Sequence, residues 1–75
     1  MKIEYDKEAD AVYIYLQQKE AAKTIELSEI VKADLDKEGK LIGIEILNAT
    51  QRYSLSDIFN ISTENLILDE KLIAC

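Results

Sequence analysis

The chain has 75 residues, with 15 acids against 9 bases, no histidine, a single cysteine and a formal net charge of −6. That balance excludes direct nucleic-acid binding, which needs a basic footprint. Cys75 alone cannot form an internal disulfide, the lack of histidine argues against a tight structural zinc site, and a hydrophobic content of 48% excludes disorder as the default state.

The first strand is predicted over residues 2–5. Between it and the next lies an acidic knot, Asp6-Lys7-Glu8-Ala9-Asp10. The second strand, residues 11–17, alternates Val12, Ile14 and Leu16 on one face with Ala11, Tyr13 and Tyr15 on the other. A loose loop at 18–22 leads to a third strand over 23–27, with Ile25 and Leu27 on one face. Ser28-Glu29 reads as a tight turn or a bulge. The fourth strand, residues 30–35, alternates Val31, Ala33 and Leu35 against Ile30, Lys32 and Asp34. Asp36-Lys37-Glu38-Gly39 is a hairpin loop in which Gly39 supplies the positive φ. The fifth strand, residues 41–47, sets Ile42, Ile44 and Ile46 against Leu41, Gly43, Glu45 and Leu47.

After Asn48 the period changes. Ser54 is a helix cap, and Leu55, Ile58 and Phe59 fall at i, i+3 and i+4 of a short helix. Residues 62–65 break it, and residues 65–74 fit either a helix or a strand. The expected fold is α+β: a five-stranded antiparallel meander over residues 1–47, packed by a short C-terminal helical or irregular segment over 48–75. Its aliphatic face is expected to gather Val12, Ile14, Leu16, Val31, Ala33, Leu35, Ile42, Ile44 and Ile46. A domain below roughly 80 residues usually needs a staple. With disulfide and zinc set aside, self-association is the expected one, a dimer being favoured. The single cysteine and the lack of a signal peptide predict a cytoplasmic protein. The longest apolar run, residues 11–16, is too short to span a membrane.

Tyr5-Asp6-x-Glu8-Ala9-Asp10-Ala11-x-Tyr13-Ile14, followed by the acidic turn with Gly39 and by Gly43-Ile44-Glu45-Ile46-Leu47-Asn48-Ala49, resembles the family called domain of unknown function 2283. The resemblance covers about the first 50 residues. It implies a small β-rich prokaryotic domain with a helix, an antitoxin-type partner role, and no agreed activity.

Several residues are candidates for function. Asp6, Glu8 and Asp10 sit at i, i+2 and i+4, a spacing that suits a divalent cation, but no glycine follows to make a calcium loop. The alternative, preferred here, is that Asp6 and Asp10 cap the turn through backbone N–H groups. Glu45 lies between isoleucines and is expected to pair with Lys32 on the neighbouring strand. Tyr13 and Tyr15 project from the face opposite the aliphatic one, with Tyr5 placed near them, and form the preferred interface patch. No nucleophile has a base, no phosphate loop is present and no cofactor is implied.

Three functions remain open on these residues. One is an interaction module that self-associates and binds a basic protein. The second is a metal-dependent enzyme built on the N-terminal carboxylates, and the third a small-ligand binder between sheet and helix.

Overall fold

A computed structural model of the chain describes residues 1–64. The period-two segments form β1 (Lys2–Asp6), β2 (Ala11–Tyr15), β3 (Lys23–Glu26), β4 (Val31–Leu35) and β5 (Leu41–Ile46). Two helices follow, α1 (Ala49–Arg52) and α2 (Leu55–Phe59). The α+β class with five antiparallel strands is therefore what forms. Ser54 caps α2 as expected, its hydroxyl accepting from the Asp57 N–H at 3.1 Å. Helix α1 was not anticipated. The uncertain segment 65–74, and Cys75, lie outside the described residues.

The strand order is β1-β2-β5-β4-β3, so the meander is corrected. Sequential pairing was expected because the connections are short. The residues between β2 and β3 break that rule. They pass along the ends of β5 and β4, about 14 Å at the usual strand spacing. Hydrogen bonds fix the path: the Leu16 and Gln17 N–H groups donate to the Ile42 carbonyl at 2.7 and 3.2 Å, and the Ala22 N–H donates to that of Leu35 at 2.9 Å. β5 takes the centre because its isoleucines find apolar partners on both sides. Ile44 lies between Ile14 and Ala33, and Ile46 between Val12 and Val31.

Directly opposed residues of an antiparallel pair share a face. Ile3 and Tyr5 on β1 and Ile25 on β3 thus join the apolar side through Ile14, Val12 and Ala33. Tyr5 is not beside Tyr13 and Tyr15 but on the opposite face. Leu16 leaves the expected core: β2 stops at Tyr15, and Leu16 is 48% exposed.

Three turns have their own chemistry. Asp6 Oδ1 accepts from the Glu8 and Ala9 N–H groups at 3.0 and 3.3 Å. Ser28 Oγ accepts from Ile30 and Val31, which makes Ser28-Glu29 a tight turn. In the β4–β5 hairpin Gly39 has φ of 85°, a value that glycine adopts without the Cβ penalty. Asp36 opens this hairpin and is only 7% exposed, although the residues around it read as a solvated loop. Its Oδ1 accepts from Glu38 and Lys40, both at 2.9 Å. Oδ2 faces Lys19 Nζ at 3.6 Å, an ion pair too long to be a hydrogen bond. The Lys40 N–H, then the Glu38 N–H and the Lys19 charge, hold this carboxyl below its ordinary range against the opposing effect of burial.

Among the described residues the buried apolar side chains are Ala11, Val12, Ala33, Ile42 and Ala49. Ile42, 2% exposed, is the largest of them. Ile42→Ala should lower the unfolding free energy by about 2–4 kcal/mol, the range for emptying a packed isoleucine site. Leu16→Ala should change it by less than about 0.5 kcal/mol, as at other exposed positions. Urea denaturation of the two variants checks both values.

Candidate functional site

The two faces of the sheet carry different chemistry. On the polar face one row runs Glu4, Tyr13, Glu45, Lys32 and Glu26 across all five strands. The next row runs Lys2, Tyr15, Gly43, Asp34 and Thr24. Both rows come from strand alternation, which sends these side chains away from the isoleucines.

Tyr13 reaches diagonally across this surface. Its hydroxyl donates to Asp34 Oδ2 at 2.5 Å, and Thr24 Oγ1 donates to Asp34 Oδ1 at 2.6 Å. Gly43 makes the path possible. A Cβ built there would stand 2.5 Å from the Tyr13 ring and 2.5 Å from the Ile14 carbonyl oxygen. Tyr15 packs on Tyr13 with centroids 4.3 Å apart and planes tilted by 48°. Lys2 Nζ lies 5.4 Å from the centre of the Tyr15 ring and 3.2 Å from Glu4 Oε2. Burial, then the hydrogen bond to Asp34 and its charge, raises the Tyr13 phenol far above its ordinary value. A phenol held neutral in this way is a poor base. Both Asp34 oxygens are occupied as well. This cluster braces β2, β4 and β3, and it contains no free reacting group.

Lys32 and Glu45 stand directly opposite in the β4–β5 register. The ion pairs among the described residues are instead Lys2–Glu4 and Lys19–Asp36. Asp34 and Gly43 are the members of this face that sequence reading passed over. The one signal was a glycine inside an otherwise β-branched strand, which often marks the close approach of another group.

The N-terminal carboxylates do not converge. Asp6 is engaged on its own turn. Asp10, at φ of 51°, turns toward α1. Its carbonyl accepts from the Ala49 N–H at 3.0 Å, and its Oδ1 accepts from the Thr50 N–H at 3.1 Å, Thr50 Oγ1 at 2.7 Å and the Tyr5 hydroxyl at 2.8 Å. Asn48, in the N-cap position at φ of 53°, makes no side-chain cap, so Asp10 caps the helix from across the fold. The Thr50 hydroxyl is the main cause that keeps the Asp10 carboxyl below its ordinary range, while the same contact network raises the Tyr5 phenol, chiefly through Asp10. Asp10 is thus a tertiary clamp and not the turn cap expected of it. Among the described residues no three of His, Cys, Asp and Glu are grouped to hold a metal ion.

On the apolar face, an open groove of about 180 Å³ runs between sheet and helices, lined by Ile3, Val12, Ile14, Ile46, Ala49, Tyr53, Asp57 and Ile58. Beside it Tyr53, Leu55, Phe59 and Ile61 are 43–55% exposed. No helix of the described residues is long and apolar enough to cross a membrane.

Gly43→Ala should cost roughly 1–3 kcal/mol, since the tyrosine ring and a strand carbonyl must both yield. In an ultraviolet titration the Tyr13 phenol should ionise far above the ordinary tyrosine value. A raised phenol contributes stability that is fully present below the ordinary tyrosine value, about pH 10, and lost as pH rises through its folded value. Asp34→Asn should bring Tyr13 ionisation to lower pH without restoring the ordinary value, because burial remains.

No solved structure matches the chain. An uncharacterised protein of Methanocaldococcus jannaschii is 37% identical over 67 residues, a match that takes in 89% of this chain and 52% of the relative. The chain therefore spans about half the length of the curated relative it matches. The family described as protein of unknown function, DUF2283, matches residues 2–49. Those residues hold all five strands, Asp10, the Tyr13–Gly43–Asp34 brace and the buried Ala49, while Thr50, to which Asp10 is bonded, follows them directly. The resemblance read from the two motifs is borne out, and the chain belongs to this family.

Proposed function

We propose that the chain is a protein-interaction module that associates with itself. The observation that carries this reading is one-sided burial. A stable domain packs at least two layers around a core. Among the described residues a five-stranded sheet is faced by helices of only four and five residues. Ile14, Ile44, Ile46, Val31 and Ile25 are half-buried where a second layer would bury them. Exposed Tyr53, Leu55, Phe59 and Ile61 continue the apolar surface past the groove.

The interface expected at Tyr13 and Tyr15 moves to this opposite face. The two tyrosines already have partners within the chain, in Asp34, in each other and in Lys2. The polar face they occupy suits a different contact. It carries Glu4, Glu26, Asp34 and Glu45 against Lys2 and Lys32, and the net charge is −6. That surplus supports a basic protein as a further partner in an antitoxin-type role. The lone cysteine supports a cytoplasmic setting.

The other two readings have less support. Asp6 and Asp10 each have Oδ1 engaged, one in its turn and one at the helix, and among the described residues no three possible ligands are grouped, which gives a metal enzyme little support. The groove, at about 180 Å³, is smaller than the roughly 300–1,000 Å³ of usual ligand pockets.

Sedimentation equilibrium over the micromolar range should give a mass of two chains. A Leu55→Ser, Phe59→Ser double variant should weaken the association while keeping the sheet signal in circular dichroism. A protein that stays monomeric throughout this range would end the self-association reading.

A further inference from the structure

We infer that β1 is the edge through which two copies of the chain join, antiparallel and centred on Ile3, to make one continuous ten-stranded sheet from two five-stranded ones. The inference rests on the reading that the chain self-associates, and adds to the apolar face a second contact, along a sheet edge, with its register.

Among the described residues the strand order leaves two edges, β1 and β3. β1 is five residues long and pairs with β2 without a bulge, and it contains neither proline nor glycine. Sheet edges that stay unpaired are usually shortened, bulged or interrupted by proline, or made repulsive by charge. On β1 only charge is available, and its arrangement attracts a second copy.

A twofold axis perpendicular to the sheet keeps both apolar faces on the same side and passes midway between the two copies of one residue of the edge strand. Centred on Ile3, it sets Lys2 opposite Glu4 of the second copy, and Glu4 opposite its Lys2. Both residues lie on the polar face, with side chains more than half exposed, and they already pair with each other at 3.2 Å within one chain. Centring on Glu4 would oppose Glu4 to itself. A centre at Tyr5 would oppose Glu4 to Asp6, and one at Lys2 would oppose two lysines. On β3, a centre at Ile25 sets Thr24 against Glu26 and Lys23 against Leu27, with no ion pair. Only Ile3 gives opposite charges on both flanks and no like pair.

The same register completes the groove. Ile3 forms its outer wall, with Val12 and Ile14 behind it. Opposed side chains on paired strands stand about 5 Å apart, so Ile3 of the second copy extends that wall and the two grooves become one apolar trough. A five-residue edge alone falls short of the roughly 800 Å² per partner that stable dimers bury. Exposed Leu55 and Phe59, on the helix whose Ile58 shares the groove with Ile3, supply further apolar surface at this side.

Charge reversal tests the register in trans. Lys2→Glu leaves two glutamates on β1, and Glu4→Lys leaves two lysines. At low ionic strength each variant alone should dimerise about tenfold more weakly than the parent, through two like-charge pairs per interface. An equimolar mixture should recover parental affinity as a heterodimer, and the double variant Lys2→Glu, Glu4→Lys should recover it alone. Loss of the internal Lys2–Glu4 pair would not be repaired by mixing, so recovery on mixing identifies a contact between copies. If each single variant dimerises like the parent, or mixing restores nothing, the β1 register is overturned while self-association stands. If the parent itself is monomeric, both fall.

Discussion

The pairing of β5 with β2 on one side and β4 on the other is the constraint on which the rest of the molecule depends. β2 and β5 are separated by a long stretch of chain, so this contact is formed at a loop-closure cost that nearest-neighbour hairpins avoid. Ile44 and Ile46 repay it, because each meets apolar partners on both flanking strands. Once β5 is central, β3 must be an edge, and the residues after β2 must travel around the strand ends. The buried Ile42 carbonyl, accepting from Leu16 and Gln17, and the Lys19–Asp36 contact are the places where that route is fastened.

Two aspartates hold the non-local parts together, and both sit in turns. Asp36 satisfies the N–H groups of its own hairpin with one oxygen and faces the crossing loop with the other. Asp10 accepts from the first residues of α1 and from the Tyr5 hydroxyl, which ties the β1–β2 hairpin to the helix. In each case a short acceptor-only side chain collects several donors at once. That is why both carboxyls are easier to ionise in the folded chain than in a free peptide. Helix α1, with only four residues, could not persist without such a tertiary cap.

These ties organise the polar face and the turns, but they do not cover the isoleucines. Among the described residues the sheet is braced on its polar side, while Ile14, Ile25, Val31, Ile44 and Ile46 are half-buried on the other. Tyr13 illustrates the division. It lies over Gly43 to reach Asp34, which spends a large aromatic side chain on cross-strand bracing and leaves the apolar groove to face outward.

The strands, the class of fold, the Ser54 cap, the Gly39 turn and the family were all legible along the chain. These follow from period-two alternation and from local backbone preferences, which are written in neighbouring residues. Alternation also separated the isoleucine face from the tyrosine face. The strand order came from packing, because alternation states which residues share a face and is silent on which strand lies beside which. The same is true of Asp10, Asp36 and Asp34. Their residue type suits any turn or exposed strand, and the partners they meet, on Thr50, Lys19, Tyr13 and Thr24, come from other parts of the chain. Leu16 left the core and Tyr5 entered the apolar face for a related reason: the strand ended one residue before Leu16, and the β1–β2 register set Tyr5 opposite Val12. A side chain's role here was set by its partner across the sheet, and that partner is chosen by packing.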